Sequence, residues 1–330
     1  MRPPGLLAAA LLFGFSAVAV AADDSRKELI AQLQSIAENS GGQMGISARS
    51  VKTGERVQLN ASARYQMASV VKVAVALKLL DEVDHNHVSL TQKIEIKAGD
   101  LSPGSGEILK ELDPGEPLMS TTVLGLLESM MTVSDNTATD HLMAMAGGPK
   151  AVTKHLRELG ITGIDVNRPT AQLVADAWGF RLPPMGERTR ANLKHAVNIT
   201  PLPARQAAAQ RFLQDDRDTT TPDAMVAILE KLVTGKALSK ASTELLLDIM
   251  AKCKTGPKRL KGELPPGLPV AHKTGTLTRV ATNDVGIFTM PWDQGPLVVA
   301  VFVHGSALPI PQQERAIAAA GAALYRYYNR

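Results

Sequence analysis

The chain has 330 residues, a formal net charge of +4 and one cysteine, Cys253. That length suffices for one large domain with a well-buried core. A single thiol excludes an internal disulfide, and no Cys/His cluster has metal-ligand spacing, so neither a structural metal nor a cofactor is expected. The basic residues are scattered among acids, with no aromatic-interleaved stripe, which argues against nucleic acid as a partner.

After Arg2, residues 6–21 (LLAAALLFGFSAVAVA) form an apolar run ending in Ala19-Val20-Ala21. The run is short for a membrane span of ~20 residues, and its small-residue end is a cleavage pattern. Residues 1–22 therefore read as a secretory signal peptide. Its removal would leave a periplasmic or secreted protein with no membrane span. Residues 23–330 read as one domain, with an α/β part over 23–64 and 222–330 and a helical part over 65–221.

The periodicity predicts a helix over 24–38, then two strands over 43–51 and 56–60. Between them lies Lys52-Thr53-Gly54, the first of three Lys-Thr-Gly triplets. Its position is that of a hairpin turn. From 69 to about 145 the pattern is helical, with helices over 69–80, 121–131 and 137–145, and another over 151–158 ended by Gly160. Residues 168–218 carry Pro169, Pro183, Pro184, Pro201 and Pro203 and read as a long irregular segment. Helices over 223–232 and 240–250 follow, then strands over 269–277, 284–289 and 297–304, and a closing helix over 314–328. Strands at both ends with helices between imply one sheet assembled from distant chain segments.

Three short patterns carry chemistry. In YQMASVVKVAVALKLL, Ser69 stands at the start of a helix that is apolar on nearly every face, and Lys72 lies one turn on. A lysine in such a run is costly unless paired or functional. Burial would lower its pKa and make a neutral amine available to take a hydroxyl proton. In TVSDNTATDHL, Ser134 offers a second hydroxyl as a proton relay. Asn136 offers an amide that could hold Lys72 or meet a substrate carbonyl. In AHKTGTL, Lys273 and Thr274 on a strand could bind a carboxylate, and Gly275 would let a substrate approach. The backbone N–H groups of Ser69 and Thr276 could form an oxyanion hole.

In order and spacing, S-x-x-K, S-D-N and K-T-G resemble the serine enzymes that comprise class A β-lactamases and penicillin-binding proteins. MTVSDNTATDHLM, GGPKAVTKHLRELG, RDTTTPDAM and LPPGLPVAHKTGT also look like class A sequence. The resemblance runs from about Arg26 to Tyr327. It implies a five-stranded, mainly antiparallel sheet flanked by helices, plus an all-helical subdomain. It further implies acylation of Ser69 by a β-lactam or a peptidoglycan peptide. Lys72 would activate Ser69 and Ser134 would protonate the leaving nitrogen. Asn136, Lys273, Thr274, Gly275 and Thr276 would bind substrate. Lys273-Thr274-Gly275 is then the functional triplet, and Lys254-Thr255-Gly256 falls in a surface loop. A monomer is expected.

The resemblance breaks at the deacylation step. The family's Ω loop carries Arg-x-Glu-x-x-Leu-Asn, whose glutamate orients a water. Here residues 167–174 read NRPTAQLV, with Thr170 in place of glutamate and Val174 in place of asparagine. A neutral hydroxyl is a poor general base. Arg168 should pair with Asp218 to close the loop, about 50 residues away, longer than loops usually run. Glu187, Asp215 and Asp216 lie inside this insert, and Glu187 is the candidate substitute base. Arg279 is the nearest candidate for the family's extra carboxylate-binding arginine. Three readings follow: a β-lactamase with slow or unusual deacylation, a D-Ala-D-Ala peptidase or transpeptidase, and a β-lactam-binding protein that does not turn over.

Overall fold

The computed structural model describes residues 10–111 and 118–330. Helix α1 (Ala10–Glu38) begins within the expected signal peptide, whose residues 1–9 lie outside the described part. A hairpin of β1 (Gln43–Ser50) and β2 (Arg56–Leu59) follows. Its turn holds Gly54 at φ 74°, so the first Lys-Thr-Gly is a turn that favours glycine. Next come β3 (Tyr65–Gln66), a 3-10 turn (Ala68–Val70) and α2 (Val71–Asp84). From Val71 to Leu80 every residue of α2 except Lys78 is buried. Each fully buried Val or Leu there contributes roughly 1.5–3 kcal/mol, which makes this helix the axis of the larger core.

The chain continues through β4 (Lys93–Lys97), α3 (Ile108–Glu111), β5 (Leu118–Thr122), α4 (Val123–Thr132), α5 (Asn136–Met145) and α6 (Pro149–Glu158). β4 and β5 pair antiparallel, within a stretch whose sequence pattern reads as helical. The strand signal was present in Lys93–Lys97, which alternates polar and apolar residues.

The expected irregular segment over 168–218 is instead mostly helical. It contains α7 (Thr170–Trp178), α8 (Arg190–Ile199) and α9 (Leu202–Leu213). Pro169 and Pro201 stand at the caps of α7 and α9, and Pro203 lies in the first turn of α9. A proline there gives up an N–H that would be unpaired anyway, so it starts a helix instead of breaking one. These helices have a core of their own. Leu173, Val174, Phe180 and Phe212 pack with Ala68, Leu277 and Val280.

β6 (Thr219–Thr220), α10 (Pro222–Val233), α11 (Lys240–Ala251), β7 (Val270–Leu277), β8 (Ala281–Thr289), β9 (Pro296–His304) and α12 (Ile310–Tyr328) complete the chain. The main sheet has five strands in the order β2-β1-β9-β8-β7, and all its neighbours are antiparallel. The expected joining of distant segments occurs at β1 and β9, where Ile46 faces Val301. Alternate residues of β9 serve two cores. Leu297, Val299, Val301 and Val303 pack with Leu33, Ile317 and Leu324 of α1 and α12. Val298, Ala300 and Phe302 pack into the larger core around α2 and α10. That double burial explains the unbroken apolar run. Among the described residues no helix is long and apolar enough to cross a membrane.

Candidate active site

Ser69 lies in the 3-10 turn that feeds α2. Ala68 before it has φ 46°, and Ser134 has φ 62°. Left-handed backbone at non-glycine residues costs of order 1–3 kcal/mol each, and such strain collects at functional sites. Strand β7 presses directly on the turn. A Cβ added to Gly275 would lie 2.7 Å from the Met67 carbonyl oxygen and 3.0 Å from the Ser69 nitrogen. Glycine is needed there for the strand to reach the serine.

Lys72 is fully buried. Its Nζ donates to the Ser134 carbonyl at 2.7 Å, the Ser134 hydroxyl at 3.1 Å and Asn136 Oδ1 at 2.8 Å. Burial, then the charge of Lys273, pulls Lys72 well below the ordinary lysine value, against the opposing pull of Asp135 and Asp140. Lys273 is also fully buried. Its Nζ donates to Ser134 Oγ at 3.0 Å and to the Thr274 carbonyl at 2.8 Å. Burial lowers Lys273 to about 8, with Arg259 adding to the effect and Cys253 and Asp284 opposing it. The Ser134 hydroxyl thus bridges two buried amines. An oxygen receiving two N–H donors has its own proton free to give away.

Asp135 and Asn136 hold this bridge in place. Asp135 caps α5 through the Ala138 N–H and accepts the Ile108 N–H, both at 2.9 Å. The Asn136 amide donates to the Pro103 carbonyl at 2.7 Å, which turns its oxygen toward Lys72.

These residues open onto a cleft of about 220 Å³ lined by Ser69, Lys72, Asn136, Thr170, Val174, Trp178 and Thr276, among others. Among the described residues no carboxylate lines it. Thr170 stands at the start of α7. Its backbone N–H goes to Asp140 Oδ1 at 2.6 Å, and the Ala171 N–H goes to Asp140 Oδ2 at 2.8 Å. Asp140, reaching over from α5, thus caps a helix whose own cap position is proline. Its Oδ2 also accepts from Ser102. Burial raises the Asp140 carboxyl.

The acids of the insert lie elsewhere. Glu187 is exposed, and its backbone carbonyl accepts from Asn192. Asp215 binds Arg168 at 3.0 Å and Arg217 at 2.6 Å. Arg217 holds its carboxyl down at about 2. Asp216 is exposed. Arg168 and Asp218 do meet, with Nε to Oδ2 at 2.6 Å. Arg168 also binds Asp176 at 2.7 Å and lies 5.0 Å over the Phe212 ring.

The arginine expectation needs correction. Arg279 is exposed in the β7–β8 turn, beside a neighbouring groove that it lines with Trp178 and Arg205. Arg259 is the guanidinium brought to β7. It is buried and donates to the Gly275 and Asn283 carbonyls and, at 2.6 Å, to Thr276 Oγ1. No local pattern marked it, because its partners come from two strands that follow it in the chain. The second Lys-Thr-Gly is not a detached surface loop either. Thr255 Oγ1 lies 2.5 Å from Thr274 Oγ1.

A half-buried serine at a helix start, a low-pKa lysine one turn on and a hydroxyl between two buried amines define a serine acyl-transfer enzyme of the lysine-activated kind. The family model described as "Beta-lactamase enzyme family" matches residues 28–328, and the chain belongs to that family. It is 28% identical to Beta-lactamase VEB-1 of Pseudomonas aeruginosa, covering 91% of this chain and 90% of that one. It is 29% identical to Extended-spectrum beta-lactamase PER-1 of the same organism, covering 90% and 86%. Two solved structures are similar throughout. A β-lactamase from Chitinophaga pinensis has a TM-score of 0.74 at 29% identity, with 91% and 98% coverage. An ancestral class A β-lactamase has 0.73 at 30%, with 90% and 99%.

Proposed function

We propose that this class A serine β-lactamase-like hydrolase opens β-lactam rings through an acyl-enzyme on Ser69, and that loss of the acyl group is its slow step. The observation that carries the first half is the Lys72–Ser134–Lys273 chain beside Ser69. In its neutral form, which burial favours, Lys72 takes the Ser69 proton as the hydroxyl attacks the ring carbonyl. Backbone N–H groups of Ser69 and Thr276 receive the developing oxyanion. Ser134 gives its proton to the departing nitrogen and is resupplied along the amine chain. Lys273, Thr274 and Thr276 hold the substrate carboxylate, with Arg259 fixing the Thr276 hydroxyl.

The second half rests on the wall made by Thr170 and Val174, which offers no carboxylate to a hydrolytic water. The same wall favours, as a second reading, a peptidase or a β-lactam trap, in which the adduct persists. Residues 23–330 form one catalytic domain on this reading. The protein works as a monomer in the periplasm or outside the cell, and Arg168–Asp218 closes the insert. Intact-mass measurement over time after mixing with benzylpenicillin tests both halves. An adduct on Ser69 that forms and then decays slowly is expected. No adduct would overturn the acylation reading, and decay as fast as formation would overturn the slow step.

A further inference from the structure

Beneath the carboxylate-binding strand, Thr274 is joined to two groups that the reaction above does not use, Thr255 and Cys253. Cys253 Sγ is 3.3 Å from Thr255 Oγ1, and Thr255 Oγ1 is 2.5 Å from Thr274 Oγ1. The packing leaves little slack. A Cβ on Gly256 would fall 2.7 Å from Thr274 Cγ2. Behind the thiol, fully buried His272 places Nδ1 3.0 Å from both oxygens of fully buried Asp284. Asp284 also accepts the Leu260 N–H.

Each hydroxyl in this chain has one proton to give. With a thiol at Cys253, S–H can donate to Thr255, Thr255 to Thr274, and Thr274 to a substrate carboxylate. With a thiolate, the order reverses. Thr255 then donates to sulfur alongside charged His272, Thr274 donates to Thr255, and Thr274 turns lone pairs toward the carboxylate. We propose that Cys253 is a positioning residue for substrate binding, whose proton aims the Thr255 and Thr274 hydroxyls at the substrate carboxylate and whose loss aims them away. This rests on the reading that Thr274 meets a carboxylate.

The surroundings make the switch accessible near neutrality. Burial alone would raise the thiol, but His272, Lys273 and Thr255 bring it down to about 7. Burial alone would lower His272, but Asp284 and Cys253 hold it at about 9. The thiol proton therefore leaves to solvent while His272 stays charged. The groups facing the thiol are His272 and Lys273 from β7, with Asp284 from β8 and Arg259 from the preceding turn acting behind them. Carboxylate binding is strong on the acid side and weakens as pH rises through about 7. The discharge of Lys273 adds a separate loss near 8.

The test measures the half-saturating concentration for Ser69 acylation by benzylpenicillin and by its methyl ester, from about pH 6 to about pH 8. The proteins are the wild type, Cys253→Ser and Thr255→Val. Loss of one charge-assisted hydrogen bond should raise the wild-type value for the acid roughly tenfold, with the ester flat. The serine hydroxyl does not titrate, so Cys253→Ser should show a single rise from Lys273, moved to lower pH because the thiolate no longer supports that lysine's charge. Thr255→Val cuts the chain at its middle, leaves the Thr274 hydroxyl free to donate to the carboxylate at either end of the range, and should lose the step near 7. The limiting acylation rate should follow the same pH course in all three. A Cys253→Ser profile matching the wild type, or an equal step with the ester, would overturn this inference alone. Absence of any adduct with either compound would instead overturn the reading beneath it.

Discussion

The two walls of the catalytic cleft are built on different principles. On the wall formed by α2, the turn before α5 and β7, Lys72, Ser134, Asn136 and Lys273 are tied to one another, and the two fully buried lysines share one serine oxygen. On the wall formed by α7, Leu173 and Val174 belong to an apolar cluster, Thr170 stands at the helix start, and the acid beside it is spent on capping that helix. On the proposed mechanism the first wall moves protons during acylation. The second is organised to pack. Acylation and deacylation are thus separable in this fold, because each draws on side chains from a different layer.

The contrast breaks most completely at the nucleophile. Ser69→Ala should abolish covalent labelling by a fluorescent penicillin, and persistent labelling of the folded variant would remove Ser69 from the mechanism. A change on the packing wall should sharpen the contrast next. A well-oriented general base contributes ~10²–10⁴-fold. Thr170→Glu combined with Val174→Asn should therefore speed loss of the penicilloyl adduct by about a hundredfold, read as adduct lifetime by mass. Asp140 behind position 170 would add like-charge pressure that favours a basic carboxylate there. An unchanged lifetime would mean that α7 does not present this position to the acyl carbonyl.

Lys273→Ala comes next in size. Removing one charge-assisted partner of the carboxylate should cost roughly 10- to 100-fold in acylation efficiency, whereas Lys254→Ala, at an exposed position, should cost little. The wild-type enzyme should lose the same contribution as pH rises through about 8, where Lys273 discharges. The smallest effect is expected at Glu187→Gln. Its side chain lies off the cleft on an exposed turn, so adduct lifetime should be unchanged. A marked lengthening would show that the insert supplies the base after all.

Much of the fold was legible because local patterns are short-range physics. The two-residue period of the hairpin, the apolar β9 run and the one-turn spacing of Ser69 and Lys72 follow from backbone geometry alone. The insert reads as irregular in the sequence because its prolines look like breaks. Where a proline falls relative to a helix start depends on what the helix packs against, here Ala68, Leu277 and Val280. The β4–β5 hairpin was missed because a helical background hid five alternating residues.

By itself, the sequence determined the reactive types and their local spacing: Ser69 with Lys72, Ser134 with Asn136, Lys273 with Thr274. Through its resemblance to the family, it also set Thr170 where a carboxylate is expected. Only the tertiary structure decided which groups meet across long separations. It put Lys72 and Lys273 on one hydroxyl, brought Arg259 rather than Arg279 to β7, and left Glu187 in solvent. It also laid the second Lys-Thr-Gly beneath the third, so that Thr255 touches Thr274 across 19 positions of chain. The reason is directional. A hydrogen bond depends on tenths of an ångström and on angle, and between distant segments those are set by how α11, β7 and the turn between them pack, not by the identity of any residue in the triplet.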